Sequence, residues 1–258
     1  MTTTTTTTPE YAIAATSLTV RFGAFKATDD VTLGVPVGER RALIGPNGAG
    51  KSTLFNLLGG QLRPTEGRVS LLGHDVTRLP AHRRSRLGLA RTFQLTNLLA
   101  ELTVRQNVEL TLAARSKAAW VFWRRLGAVD GLAERALDVL ARWDLDGSAD
   151  RPVRELAYGQ QRVLEIALAM CGDPEVLLLD EPTAGLSPAD ARRLTGLVAD
   201  LPRTVTVVLI EHDMEVAFAL ADRVSVLQAG RIIADGTPDE VSTDKRVLEA
   251  YLGEATSA

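Results

Sequence analysis

Gly45-Pro46-Asn47-Gly48-Ala49-Gly50-Lys51-Ser52 has the spacing G-x-x-x-x-G-K-S/T, and no other stretch restricts the folding of this chain so closely. The pattern needs a strand before it and a helix after it. Arg41-Ala42-Leu43-Ile44 is a short apolar run ending at a glycine, and Lys51 to Leu58 has a helical pattern that stops at Gly59-Gly60. Glycines let backbone N–H groups converge on phosphate oxygens, and the helix N-terminus adds its positive dipole end. Lys51 supplies a point charge for β- and γ-phosphates, and the Ser52 hydroxyl can ligate Mg²⁺. The alternative, a chance glycine-rich turn, does not account for both flanks. The predicted ATP-contacting set is Gly45, Pro46, Asn47, Gly48, Ala49, Gly50, Lys51, Ser52 and Thr53.

Val176-Leu177-Leu178-Leu179-Asp180-Glu181 is an apolar strand ending in two acids. In open α/β sheets ligands bind at the carboxyl ends of strands. Asp180 is therefore a candidate for the Mg²⁺ shell and Glu181 for orienting and polarising an attacking water. Without the glycine loop the pair would read as two solvated acids. Other polar residues are open on their own. His212 follows a strand ending at Ile210 and could reach a γ-phosphate, although a lone histidine is more often structural. Gln94, in Arg91-Thr92-Phe93-Gln94, could touch metal or water, or lie on the surface. Leu156-Ala157-Tyr158-Gly159-Gln160-Gln161-Arg162 precedes an amphipathic helix from Val163 to Met170. Its glycine could be a simple cap or could present N–H groups to an anion. Phe22 beside Gly23 could stack on a base or fill the core.

The solid apolar runs Val176–Leu179, Val205–Ile210 and Val224–Gln228 read as buried parallel strands. Ala12–Val20, Val31–Val37 and Val69–Leu72 also read as strands, whereas Pro80 to Met170 is mainly helical in pattern, most clearly at Val104–Ala114 and Leu132–Trp143. A helical block inside an α/β frame predicts two lobes of one domain, with a helical subdomain at about 86–170 in a domain spanning 11–258. The threonine-rich residues 1–10 read as a disordered tail with neither the basic start nor the apolar stretch of a signal peptide. With 258 residues, 29 basic and 32 acidic, the net charge is −3, which gives no drive toward nucleic acid. The lone Cys171 fits a reducing compartment. Apolar runs stay well short of the roughly 20 residues a spanning helix needs. The patch Lys117 to Arg125, with Trp120 and Trp123 beside Arg124 and Arg125, could meet a membrane partner or pack within a helical insert.

Taken in order, these residues resemble the ATPase subunits of ABC transporters over nearly the whole chain. The ordered matches are Phe22, the loop Gly45–Ser52, Gln94, the signature Leu156–Gln160, Asp180-Glu181, the loop Ala184–Ser187 and His212. The resemblance implies a P-loop nucleotide-binding core with an antiparallel β edge and a helical subdomain. It implies ATP and Mg²⁺ as cofactors, catalytic roles for Glu181, His212 and Gln94, metal contacts from Ser52, Gln94 and Asp180, and nucleotide contacts from Phe22. Two such subunits sandwich two ATPs in this family, the phosphate loop of one facing the signature (here Ala157, Tyr158, Gly159 and Gln160) of the other. Arg91-Thr92-Phe93-Gln94, Leu156–Gln160, Glu211-His212-Asp213-Met214 and the ending Tyr251-Leu252-Gly253-Glu254-Ala255 look most like the branched-chain amino acid importers. That branch implies two transmembrane permease subunits, a second, non-identical ATPase subunit and an extracytoplasmic substrate-binding protein. It places the chain peripherally on the cytoplasmic face of the plasma membrane, and nucleic acid is not among the expected partners. Urea importers share much of the pattern, and a soluble ABC-type ATPase is the remaining alternative. The chain departs from the commonest family pattern at Ala157 and Tyr158, where serine and glycine are usual, and at Ser187, where aspartate is usual.

Overall fold

A computed structural model describes residues 10–92, 98–115 and 131–255. In chain order the elements are β1 (Ile13–Phe22), β2 (Phe25–Val35), β3 (Arg40–Ile44), α1 (Lys51–Gly59), β4 (Glu66–Leu71), β5 (His74–Asp75), α2 (Ala81–Ser85) and β6 (Leu89–Arg91). They continue as α3 (Val104–Arg115), α4 (Leu132–Arg142), α5 (Tyr158–Met170), β7 (Val176–Asp180), α6 (Pro188–Ala199) and β8 (Thr206–Ile210). The last are α7 (Met214–Leu220), β9 (Arg223–Gln228), β10 (Arg231–Gly236), α8 (Pro238–Thr243) and α9 (Lys245–Ala255).

Two sheets organise the chain. One is antiparallel, in the order β2-β1-β4-β5; the other runs β10-β9-β3-β8-β7-β6 and is parallel except for the antiparallel β10. Successive residues of a strand point to opposite faces, and here each face has its own core. Leu177, Leu179, Val207 and Leu209 join a cluster with α3, α4 and α5 residues such as Val108, Leu140 and Leu164. Leu178, Val208 and Ile210 join the opposite cluster with Leu54, Phe55 and Leu58 of α1 and with Ile13 and Leu18 of β1. The central strands are thus buried on both sides, which is why they read as unbroken apolar runs. The carboxyl ends of β3, β7 and β8 come out together where α1 begins, and this convergence sets the site.

The helix after the glycine loop is held at both ends. Gly50 precedes it at φ +103°, where a Cβ would lie 2.4 Å from Ala27 O, and Gly60 ends it in the left-handed region. The fully buried Arg84 guanidinium donates to Leu57 O (2.7 Å) and Leu58 O (2.8 Å), satisfying carbonyls that a helix terminus leaves open. Burial lowers the Arg84 pKa to about 10, so the group stays charged.

Three expectations shift. The first hairpin extends further than expected: β2 begins at Phe25, and Val37 lies beyond its end. Leu89–Arg91, inside the stretch that read as helical, is a strand paired with β7. Three residues without a β-branched side chain carry no period, so the sheet edge rather than local preference makes β6. The signature residues lie in the first turn of α5, which begins at Tyr158 rather than at Val163. The threonine-rich start, Gln94 and the patch with Trp120 and Trp123 lie outside the described residues, apart from Glu10 at the end of the first.

Candidate nucleotide site

The loop between β3 and α1 walls a cavity of about 340 Å³. Asn47 to Thr53 form one side, Glu181 and His212 another, with Phe25 and Ala27 completing the lining. Gly45 sits at φ +145° with Leu227 O 2.0 Å from where a Cβ would be, so only glycine lets the loop leave β3 beside β9. The hydrogen bonds of α1 begin with Leu54 N–H on Gly50 O (2.9 Å), which leaves first-turn N–H groups such as those of Ser52 and Thr53 for an external acceptor. The buried Lys51 Nζ donates to Gly45 O (2.6 Å) and Pro46 O (2.9 Å), so the ammonium lies across the concave loop. A larger cavity, about 680 Å³ and lined in part by Arg135, Arg142 and Trp143, lies elsewhere against α4. The smaller one holds the glycine loop, the lysine and two of the candidate catalytic residues, so chemistry rather than volume locates the site.

Asp180 ends β7 and Glu181 follows it in the left-handed region at φ +47°, an arrangement that costs on the order of 1 kcal/mol for a residue with a side chain. That turn sends Glu181 into the cavity, where its Oε1 lies 2.7 Å from His212 Nε2. The pair brings together two candidates 31 positions apart in sequence number, one after β7 and one after β8. Asp180 is buried. Its Oδ2 accepts from Arg91 Nη2 (2.8 Å), and its Oδ1 has no hydrogen-bond partner among the described residues. An orphaned buried carboxylate oxygen beside a serine-bearing phosphate loop suits a hard divalent cation, which takes oxygen ligands. The donor set therefore fits Mg²⁺ held by Ser52, Asp180 and nucleotide phosphates.

The aromatic contact differs in detail from the expectation. Phe22 and Phe25 face each other across the β1–β2 turn and both are exposed, and it is Phe25 that lines the cavity. Both flank the same glycine, so the hairpin register, rather than adjacency to Gly23, distinguishes them. Glu211 was also not singled out for chemistry. It is buried, and accepts from Thr183 N (3.1 Å) and Thr183 Oγ1 (2.8 Å), so it ties the loop after Glu181 to the residue before His212. Burial pushes its carboxyl pKa up; hydrogen bonds from Thr183 and the His212 N–H oppose this, and the Glu181 charge adds to it. A raised folded value means that the native state holds the proton more tightly. The stability this confers is fully present below the ordinary carboxylate value of 4.5 and is lost as pH rises through the folded value. Urea unfolding in EDTA from acid to neutral pH should show this decline in the wild type and a flatter profile in Glu211→Gln.

Ala157, Tyr158, Gly159 and Gln160 do not line the cavity. They form the exposed start of α5, where Gln160 Oε1 accepts from the Ala157 N–H (3.2 Å) and Gly159 packs on Asp190 with no room for a Cβ. The Tyr158 hydroxyl accepts from Arg162 Nε (3.0 Å) and donates to Ala184 O (3.5 Å). Ser187 caps α6, accepting from Asp190 N (3.2 Å) and donating to Asp190 Oδ2 (2.6 Å). The three departures thus have structural roles: a helix start, a strut to the loop at Ala184, and an N-cap.

Residues 28–184 match the family model for ABC transporters. The chain belongs to the ABC transporter family. Residues 231–256 of this cassette also match the model for branched-chain amino acid ATP-binding cassette transporters. It is 40% identical over 250 residues to the high-affinity branched-chain amino acid transport ATP-binding protein LivG of Salmonella typhimurium, covering 94% of this chain and 98% of the relative. It is likewise 40% identical over 252 residues to BraF of Pseudomonas aeruginosa, a protein described in the same words, at the same coverage. Among solved structures, the ADP conformation of an ATP-binding cassette of an ABC transporter matches with a TM-score of 0.83 at 32% identity, covering 94% of this chain and 98% of that one. A nucleotide-free cassette matches with a TM-score of 0.81 at 31% identity, covering 93% and 98%. The cassette therefore has the fold expected of it, and the family's activity is ATP hydrolysis.

Proposed function

We propose that this cassette hydrolyses ATP to drive uptake of branched-chain amino acids through separate permease subunits. The observation that carries the catalytic reading is the Glu181–His212 pair, 2.7 Å apart, in a cavity whose other wall is Asn47 to Thr53. Glu181 orients and polarises the attacking water, His212 holds Glu181 and reaches the γ-phosphate, and Lys51 and the loop N–H groups cradle the phosphates. Ser52, Asp180 and Gln94 would hold Mg²⁺, which when bound neutralises charge on the β- and γ-oxygens. Phe25, with Phe22 opposite it, provides the aromatic surface for the base.

The signature residues stand apart from the cavity of their own chain, and this supports a composite site. Donors on the far side of the γ-phosphate come from the exposed α5 start of a second cassette, because charge that develops there is best stabilised from both sides. No described helix is long and apolar enough to cross a membrane, so translocation falls to other chains. In the full complex we place two permeases, a second, non-identical ATPase and an extracytoplasmic binding protein, with this subunit on the cytoplasmic face and its helical arm on the permease. The branched-chain substrate follows from the match at 231–256 and from what the relatives transport. Deleting the gene should lower uptake of labelled leucine, isoleucine or valine and leave an unrelated solute untouched, and a tagged subunit should bring down two permeases and a second ATPase. Normal leucine uptake with lost urea uptake would move the substrate to the urea branch, and a complex without any membrane chain would end the transporter reading.

A further inference from the structure

Arg91 stands between the metal candidate Asp180 and the helix that carries Lys51 and Ser52. Its Nη2 donates to Asp180 Oδ2 (2.8 Å), and the two side chains are only 9% and 6% exposed. Its Nη1 donates to Asn56 Oδ1 (2.8 Å) and to Gln61 Oε1 (2.9 Å), and its guanidinium carbon lies 5.1 Å from the centroid of the Phe55 ring. Phe55 and Asn56 belong to α1. One planar group therefore fastens the end of β7 to the body of α1. The chain makes room for it at Gly59, where a Cβ would lie 3.1 Å from Arg91 Nη1 and 2.2 Å from Gln61 Oε1.

The two oxygens of Asp180 are treated differently. Oδ2 is charge-paired, while Oδ1 is buried with no hydrogen-bond partner among the described residues. Partners that orient a ligating side chain set the geometry of a metal site as much as the ligands do. We propose that Arg91 is a positioning residue for Mg²⁺: it holds Asp180 through Oδ2, leaving Oδ1 for the hydrated cation, and registers that oxygen against Ser52 through α1. The proposal rests on the reading of Ser52 and Asp180 as the metal side of the nucleotide site. Charge alone predicts the opposite sign, since a guanidinium beside the site repels a second cation. If repulsion dominated, removing Arg91 would tighten the metal; if positioning dominates, removal loosens it.

The test is Mn²⁺ binding to the full chain with ATP, read by electron paramagnetic resonance of free Mn²⁺, beside ATP affinity measured in EDTA. Arg91→Met should weaken Mn²⁺ about 10- to 100-fold and leave metal-free ATP affinity unchanged. Arg91→Lys, which keeps the charge and loses the fork, should weaken it less. Asn56→Ala, which frees the other side of the guanidinium, should weaken it in the same direction and serves if Arg91→Met does not fold. Unchanged or tighter Mn²⁺ binding in the folded variants would overturn the positioning role. Asp180→Asn separates the two levels: if it leaves Mn²⁺ binding intact, the metal-site reading fails, whereas if it abolishes binding and the Arg91 and Asn56 variants do not shift it, only the role of Arg91 fails.

Discussion

Glu181→Gln is expected to keep ATP binding and to lose turnover by about 10²- to 10⁴-fold, the usual contribution of a positioned base. The amide preserves shape but removes the negative charge that polarises water. It also replaces the carboxylate that lies 2.7 Å from His212 Nε2 with a group of the same reach, so the histidine stays in place. The left-handed backbone at Glu181 is retained, because the substitution does not touch it. Chemistry should stop with ATP bound and the composite site closed, so the variant should accumulate as an ATP-bound pair of cassettes. Phosphate release in the steady state and elution volume with ATP measure both parts. Hydrolysis near the wild-type rate would remove Glu181 from the role of base.

Lys51→Ala should nearly abolish ATP binding. A hydrogen bond to a charged partner contributes about 1.5–3 kcal/mol, and losing one contact of that size weakens affinity roughly 10- to 100-fold. The loss should be greater for ATP than for ADP if Lys51 spans both terminal phosphates. In the structure the ammonium lies on Gly45 O and Pro46 O, already over the loop, so binding needs only a local exchange of acceptors. A titration with a fluorescent nucleotide reads the change, and unchanged affinity would refute the assignment. The fold should survive, because those two carbonyls belong to an open loop that water can reach once the side chain is gone.

Much of this site was legible because its chemistry is local. The glycine loop, the strand ending in Asp180-Glu181 and the start of α5 are each contiguous, and their residue types have a direct physical reason. What stayed hidden depends on separation along the chain. Arg91 and Asp180 meet across 89 positions, and Thr183 and Glu211 across 28, through strand pairing that no periodicity encodes. Arg91 was visible only as part of a family motif. The edge strand β10 reads as a polar turn, with Arg231, Asp235 and Gly236, until β9 pairs with it. Its Asp235 then accepts from Arg223 (2.6 Å) and from the buried Arg41, so a residue that looks like loop polarity is a counter-ion. Phe25 belongs to the same class: only the register of the hairpin decides which of two aromatics faces the nucleotide.

The buried Arg84 at the far end of α1 has a mechanical meaning. A nine-residue helix is about 13 Å long, and its two ends behave as one rigid strut. Pinning the tail through the Leu57 and Leu58 carbonyls, with Arg91 gripping the middle at Asn56, leaves the phosphate end little freedom to travel. The strut is an anvil. Any closing stroke that ATP drives must then be made by the other parts, the helical arm and the opposing cassette, against a surface that does not yield. Work extracted from the nucleotide is delivered outward because the inner jaw is fixed.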